Sequence, residues 1–109
     1  MEELMEERIL ELKAEILKAL AQPTRLKILE LLRNGERCIC EIVPAIHGEQ
    51  SNISRHISLM QKSNLVTTRK DGVKVMVKVT NPEIFTILDR VSLILKHQMK
   101  EQNRLLSSL

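Results

Sequence analysis

A change of hydrophobic period constrains this chain more than any other feature. Residues 66–80, VTTRKDGVKVMVKVT, alternate with a period of two, placing Val73, Val75, Val77 and Val79 on one face and Lys74, Met76 and Lys78 on the other. Such alternation signals strands, and Asp71-Gly72 between two runs of this kind predicts a type I′ hairpin. The long segments on either side have the helical period instead. A chain that places one hairpin inside a run of helices is mainly α, with a β-hairpin appendage.

The segment before the hairpin reads as a helix starting near Gln50. Ile53, Ile57 and Met60 recur at i, i+4 and i+7 and form the inward stripe. Ser51, Asn52 and Arg55 fall on the opposite side, with Ser54 and His56 at its borders, and Asn64 suits the left-handed conformation that closes a helix. A turn, His47-Gly48-Glu49, precedes it, and before that a brief helix from about Ile39 to Ile46 is limited by Pro44. Two helices joined by a short glycine-containing turn form a helix-turn-helix, and a hairpin directly afterwards makes it winged. The helix-turn-helix is thus assigned to residues 39–63 and the wing to 66–80.

Upstream, Pro23 fits the first turn of a helix that Asn34-Gly35 ends, with Leu26, Ile28, Leu29 and Leu32 facing inward. The flanking segments, 1–20 and 81–109, are helices with apolar stripes. Met5, Ile9, Leu12, Ile16 and Ala19 mark the first stripe. Ile84, Ile87, Leu88, Val91, Ile94 and Leu95 mark the second, after the helix start Asn81-Pro82-Glu83. Both helices are long for a lone chain of 109 residues and 12.6 kDa, which holds one domain. A second copy of the chain is the expected neighbour, with 1–20 and 81–109 as dimerisation helices.

Composition narrows the function. Phe85 is the only aromatic residue, so base-stacking platforms built on Phe, Tyr or Trp are excluded. No Ser-His-Asp set, phosphate-cradling glycine loop or HExxH stands in the chain, so an enzyme is not expected. No apolar run nears the ~18–20 residues that span a bilayer, and the acidic start, MEELMEERIL, is no secretory signal. A cytoplasmic location without membrane contact is expected. The net charge of +3 is uneven: residues 1–18 carry −3, whereas residues 50–80 carry +5 from Arg55, Lys62, Arg69, Lys70, Lys74 and Lys78 against Asp71. A basic segment inside a near-neutral chain is a candidate polyanion footprint, its alternative being a solvated face with no partner.

The residues of the basic segment suit a duplex. Near the start of a helix laid in the major groove, Gln50, Ser51 and Asn52 are short or hydrogen-bonding, Asn can pair with adenine, and Arg55 with guanine or a phosphate. Ser54 and His56 sit where they could reach the edges of the contact, and Arg69, Lys70 and Lys74 near the hairpin tip could meet the flanking backbone or minor groove. A protein-interaction module remains the alternative from another class, since the apolar terminal helices also offer a surface.

At this point the segments ALAQPTRLKILELL, ERCICEI, EQSNISRHISLMQKSNLV and RKDGVKV, in this order and spacing, resemble the ArsR/SmtB family of winged-helix metalloregulators over residues 17–80 or so. The resemblance implies a homodimer, held by its first and last helices, that represses a two-fold symmetric operator in double-stranded DNA and is released by an inducer. It makes Gln50 to His56 the start of the recognition helix and Arg69 to Val75 the wing. ERCICEI is similar to the family's thiolate motif, which implies that Cys38 and Cys40 bind As(III), Sb(III), Cd(II) or Pb(II), soft ions that select thiolates. Thiol oxidation at the same cysteines is the alternative, and a third reading leaves them without a ligand. In a reducing compartment the two are expected as thiols, because a disulfide two residues apart closes a small ring. Three features depart from the family pattern: Val43 stands where a third cysteine could, residues 1–37 hold no cysteine, and Asp89 lacks the partner histidines of zinc-type sites, where Val91 and Gln102 stand and His97 is out of place. Glu49 replaces the usual serine cap of the recognition helix, which weakens the cap.

Overall fold

The computed structural model describes all residues, Met1–Leu109. Helices α1 (Glu2–Leu20) and α2 (Pro23–Leu31) are followed by a short strand β1 (Arg37–Cys38) and helix α3 (Ile39–Ala45). Helix α4 (Gln50–Lys62), strands β2 (Val66–Asp71) and β3 (Lys74–Val79), and helix α5 (Glu83–Ser107) complete the chain. This is the expected winged helix-turn-helix, mainly helical with one small sheet.

Local chemistry explains the boundaries. Gln22 caps α2 by accepting from the Arg25 N–H at 3.0 Å, and Pro23 takes the first position, where a missing N–H costs nothing. Cys38 and Glu41 form a reciprocal capping box at the start of α3: the Cys38 sulfur accepts from the Cys40 N–H, and the Glu41 carboxylate accepts from the Cys38 N–H. Pro44 lies inside α3, whose last helical residue is Ala45. Asn64 closes α4 at φ +60, as its residue type predicts. Asn81 caps the α5 start by accepting from the Glu83 N–H at 2.9 Å.

The core gathers the inward stripes of α2, α3 and α4 against the sheet and the start of α5. Ile28, Leu29, Ile42, Ile53, Met60 and Val77 are fully enclosed. Leu26, expected among the inward residues of α2, is instead partly exposed at the edge of a groove.

The sheet departs from expectation in two ways. Strand β1 was not visible in the sequence: it pairs antiparallel with β3, Arg37 opposite Val77 and Cys38 opposite Met76, giving the order β1-β3-β2. Two residues carry no periodicity, so only the open edge of β3 defines them as a strand. The hairpin turn also lies one residue later than predicted. Asp71 pairs with Lys74, so Gly72 and Val73 form the two-residue loop. Gly72 has φ +64, while His47 and Asn64 are the only other residues with positive φ below the extended range apart from Gly35. A type I′ turn needs positive φ at both loop positions, and Val73 does not have it. Gly72 at the first loop position is the type II′ arrangement instead, and Val73 leaves the valine face to stand free at the tip.

The terminal helices project from this core. The radius of gyration is 17.4 Å, against about 13 Å for a compact domain of this length. Met5, Ile9, Leu12 and Ile16 of α1 and Val91, Ile94 and Leu95 of α5 are exposed in the single chain. A groove of about 530 Å³ between α1, α2 and α5 is lined mostly by apolar side chains, among them Leu17, Leu26, Ile87, Val91 and Leu95. Arg33 ties α5 to α2, bonding Glu30 and Asp89 while its guanidinium lies 5.0 Å from the Phe85 ring centre. Those two carboxylates hold the Arg33 guanidinium above its ordinary value.

Candidate nucleic-acid interface

Helix α4 is amphipathic in the sense the sequence requires. Ile53, Ile57 and Met60 are buried, while Gln50, Ser51, Asn52 and Arg55 are exposed and Ser54 is half-buried. Ser51, Asn52 and Arg55 line a shallow depression of about 440 Å³ with Glu49. Asn52 accepts from the Arg55 guanidinium at 3.1 Å, which holds the two polar side chains side by side on the exposed face. Glu49 at the cap position makes no side-chain cap bond, as its replacement of serine predicts. The first-turn N–H groups of α4 therefore have no side-chain acceptor and remain open to solvent or to a phosphate.

The turn that presents this helix is tight. His47 adopts φ +52, the Gly48 N–H donates to the Val43 carbonyl at 3.0 Å, and a side chain at Gly48 would strike Ile53. The turn glycine is thus needed for close approach of the backbone to the core.

His56 corrects the sequence reading. Expected at the border of the outward face, within reach of the edge of the contact, it is instead 4% exposed, with its Nδ1 accepting from the Arg25 Nε–H at 3.1 Å. It follows Ile53 by three residues, just under one turn, so it falls on the core side of the stripe's border. Burial, then the charges of Arg55 and Arg25, pull its pKa below the ordinary histidine value.

The wing carries exposed cations, though not all are free. Lys70 and Lys74 are exposed near the hairpin tip, and neither forms an ion pair within the chain. Arg69 instead makes a two-pronged bond to Glu36, at 2.9 and 2.6 Å. Each partner shifts the other: Arg69 holds the Glu36 carboxyl below the usual range, and Glu36 raises the Arg69 guanidinium. Glu36 and Arg25 escaped the sequence reading. The one local clue to Arg25 is Pro23, which cannot donate to the carbonyl four residues before it.

Cys38 is buried at 2% and Cys40 is exposed. The structure joins them as a disulfide, with Cα atoms 5.0 Å apart, where the sequence reading expects two thiols. The capping geometry explains their closeness: Cys38 is the cap residue of α3, and its sulfur is held at 3.0 Å from the Cys40 N–H. The donor set fits a soft ion only in part. No group of three His, Cys, Asp or Glu stands together that could hold a metal, and Glu41 is engaged with the Cys38 N–H at 3.2 Å and with Arg37 at 3.8 Å. No helix is long and apolar enough to cross a membrane.

Comparison with known proteins agrees with this architecture. The family described as bacterial regulatory protein, arsR family, matches residues 22–68. An HTH-type transcriptional regulator of Mycobacterium tuberculosis, Rv0081, is 31% identical over 104 residues, 94% of this chain and 91% of the relative. Its crystal structure superposes with a TM-score of 0.78 at 30% identity, covering 86% of this chain and 95% of that one. The arsenical resistance operon repressor of Staphylococcus aureus is 35% identical over 79 residues, 72% of this chain and 76% of the relative. NolR from Sinorhizobium fredii has a TM-score of 0.75 at 30% identity, covering 83% of this chain and 90% of that one. The chain belongs to the arsR family of bacterial regulatory proteins, DNA-binding repressors of transcription rather than enzymes.

Proposed function

We propose that the chain acts as a homodimer that holds a two-fold symmetric operator and is released when a soft metal or metalloid binds Cys38 and Cys40. The observation that carries the DNA half of this reading is the face of α4: Gln50, Ser51, Asn52 and Arg55 outward, with Ile53, Ile57 and Met60 inward. Ser54 stands at its border, and Lys70 and Lys74 extend the cationic surface along the wing. Arg69 joins them once its bond to Glu36 opens. His56, being buried, is left out of the contact set. The unpartnered apolar faces of α1 and α5 favour a second copy as their cover, because each large aliphatic side chain buried contributes about 1.5–3 kcal/mol.

The inducer half rests on two sulfurs brought together at the start of α3. As(III), Sb(III), Cd(II) or Pb(II) would find two thiolates there, with the remaining donor coming from an outside thiol, water, Glu41 or the other subunit. With the disulfide reduced, Cys38 and Cys40 would hold such an ion at the cap of α3, the helix that precedes the recognition turn, where its binding would bear on the position of α4. A second reading, reversible oxidation of the same pair, is favoured by the closeness of the two cysteines, whose Cα atoms lie 5.0 Å apart.

Fluorescence anisotropy on the chain's own upstream DNA tests both halves. Arg55→Ala should weaken binding while leaving the dimer intact, and wild-type affinity should fall steeply with salt. Unchanged affinity in that variant removes Arg55 from the interface. Titration of the reduced complex with arsenite, Cd(II), Zn(II) and peroxide then separates metal from redox release. The double variant Cys38→Ser/Cys40→Ser should bind DNA and ignore every one of them. Release of that variant by arsenite or Cd(II) places the sensing site elsewhere.

A further inference from the structure

Helix α1 ends in a defect that another part of the chain repairs. In a regular helix the Ala19 carbonyl accepts from the N–H four residues on, but that residue is Pro23, which has none. The Gln22 N–H is directed to the Leu20 carbonyl at 2.8 Å. The Ala19 carbonyl is met instead by the guanidinium of Arg25, whose Nη1 donates to it at 3.2 Å. The same guanidinium donates through Nε to His56 Nδ1 at 3.1 Å. The backbone N–H of Arg25 is held by Gln22, so the side chain starts from a fixed point.

One side chain therefore spans three helices: the end of α1, the first turn of α2, and the middle of α4. The bond to His56 also fixes the state of that imidazole. A guanidinium is always protonated and can only donate, so Nδ1 must carry a lone pair, the ring must be neutral, and its proton must sit on Nε2. Protonation would turn Nδ1 into a donor facing a donor and place two cations in contact. Two cations near the ring reinforce this: Arg25 faces it from α2 and Arg55 adjoins it on α4. The neighbouring groove between α1 and α4 also holds Lys18 and Lys62 and one carboxylate, Glu15, whose charge would act in the opposite sense.

We propose that Arg25 is a positioning residue for the recognition helix, fastening α4 to the end of α1 through a neutral His56. This rests on the reading of α4 as the DNA-contacting helix. Its consequence is geometric. If α1 belongs to the dimer interface, the link sets where each Arg55 stands relative to the two-fold axis, and hence which half-site spacing the pair accepts. Opening the link leaves the cations of α4 in place, so sequence-independent attraction to duplex survives while the fit to an operator is lost.

The test uses full-length protein and a duplex that the wild type selects from a random library, with a scrambled duplex as control. Arg25→Lys keeps the charge but not the fork that reaches two acceptors. It should lose operator affinity by about tenfold or more, with helix content by circular dichroism, binding to the scrambled duplex and dimer content near wild type, and a melting temperature lowered only by the few degrees that unpaired acceptors cost. Wild-type operator affinity should fall as pH drops below about 6.5, the ordinary histidine value, and His56→Asn, which retains an acceptor near the Nδ1 position but does not titrate, should lack that step. Nitrogen NMR of the wild-type imidazole supplies a readout that needs no variant: a neutral ring protonated at Nε2 at pH 7 is expected. A charged ring or the opposite tautomer at pH 7 overturns the proposal. So does an Arg25→Lys protein that binds operator like wild type, or a pH step unchanged in His56→Asn. A wild type that selects no duplex at all overturns the DNA reading beneath it, an outcome distinct from the loss of selectivity expected of Arg25→Lys.

Discussion

Replacing Gly48 by alanine adds one methyl group at the turn before the recognition helix, and the structure gives it no room. The new Cβ would overlap Ile53 Cδ1 and lie 3.1 Å from Ile53 Cγ1. Ile53 has no exposure through which to retreat. Either its side chain leaves its rotamer or the turn moves away from the core, and overpacking of this kind costs about 1–3 kcal/mol. Each kcal/mol lowers the melting temperature of a domain this small by about 4–8 °C. The loss should be read by thermal and urea unfolding at fixed protein concentration, because dimerisation couples to stability. Ile53→Val removes the struck Cδ1 and alone costs about 0.5–1.5 kcal/mol. In the Gly48→Ala background it should cost less, or restore stability, giving a coupling of about 0.5 kcal/mol or more. Operator affinity should track the same cycle, since displacement of Ile53 tilts the helix that carries Ser51, Asn52 and Arg55. A Gly48→Ala protein that melts like wild type, or a cycle that is strictly additive, would refute the steric argument.

Three further outcomes are expected. Glu36→Gln should release Arg69 for phosphate contact, raising DNA affinity and steepening the logarithmic salt dependence by about one unit; no change in Glu36→Gln together with no loss in Arg69→Ala would leave the wing arginine out of the interface. Val91→Glu, placed on an exposed apolar face of α5 at 55% exposure, should abolish self-association without unfolding the chain, as read by analytical ultracentrifugation and circular dichroism; a dimer that persists would move the interface elsewhere. The depressed pKa of His56 means that the unfolded chain takes up a proton the folded chain refuses. Its contribution to stability is therefore full above about pH 6.5 and is lost as pH falls through the lower folded value. Urea midpoints across that window should fall in wild type and stay flatter in His56→Asn, and identical curves would show that another group governs the slope.

Periodicity together with turn and breaker residues was enough to place the winged helix-turn-helix. Ile53, Ile57 and Met60 can share a side of α4 only if that segment is helical, and all three are buried. Pro23, Asn64 and Asn81 act at the ends that their backbone preferences demand. These are local effects, set within a turn or two of chain by side-chain spacing and by φ. What folding added is non-local. Strand β1 exists because β3 offers it an edge, and the hairpin turn slid one residue because the register of β2 on β3 outweighed the local Asp-Gly preference. Arg25 reaches His56 across 31 positions, and Arg69 reaches Glu36 across 33. No pattern within a helix or strand encodes such meetings. A border histidine therefore became a buried acceptor and a wing arginine became half of an ion pair, since the partner that decides a side chain's role arrives only when distant elements pack together.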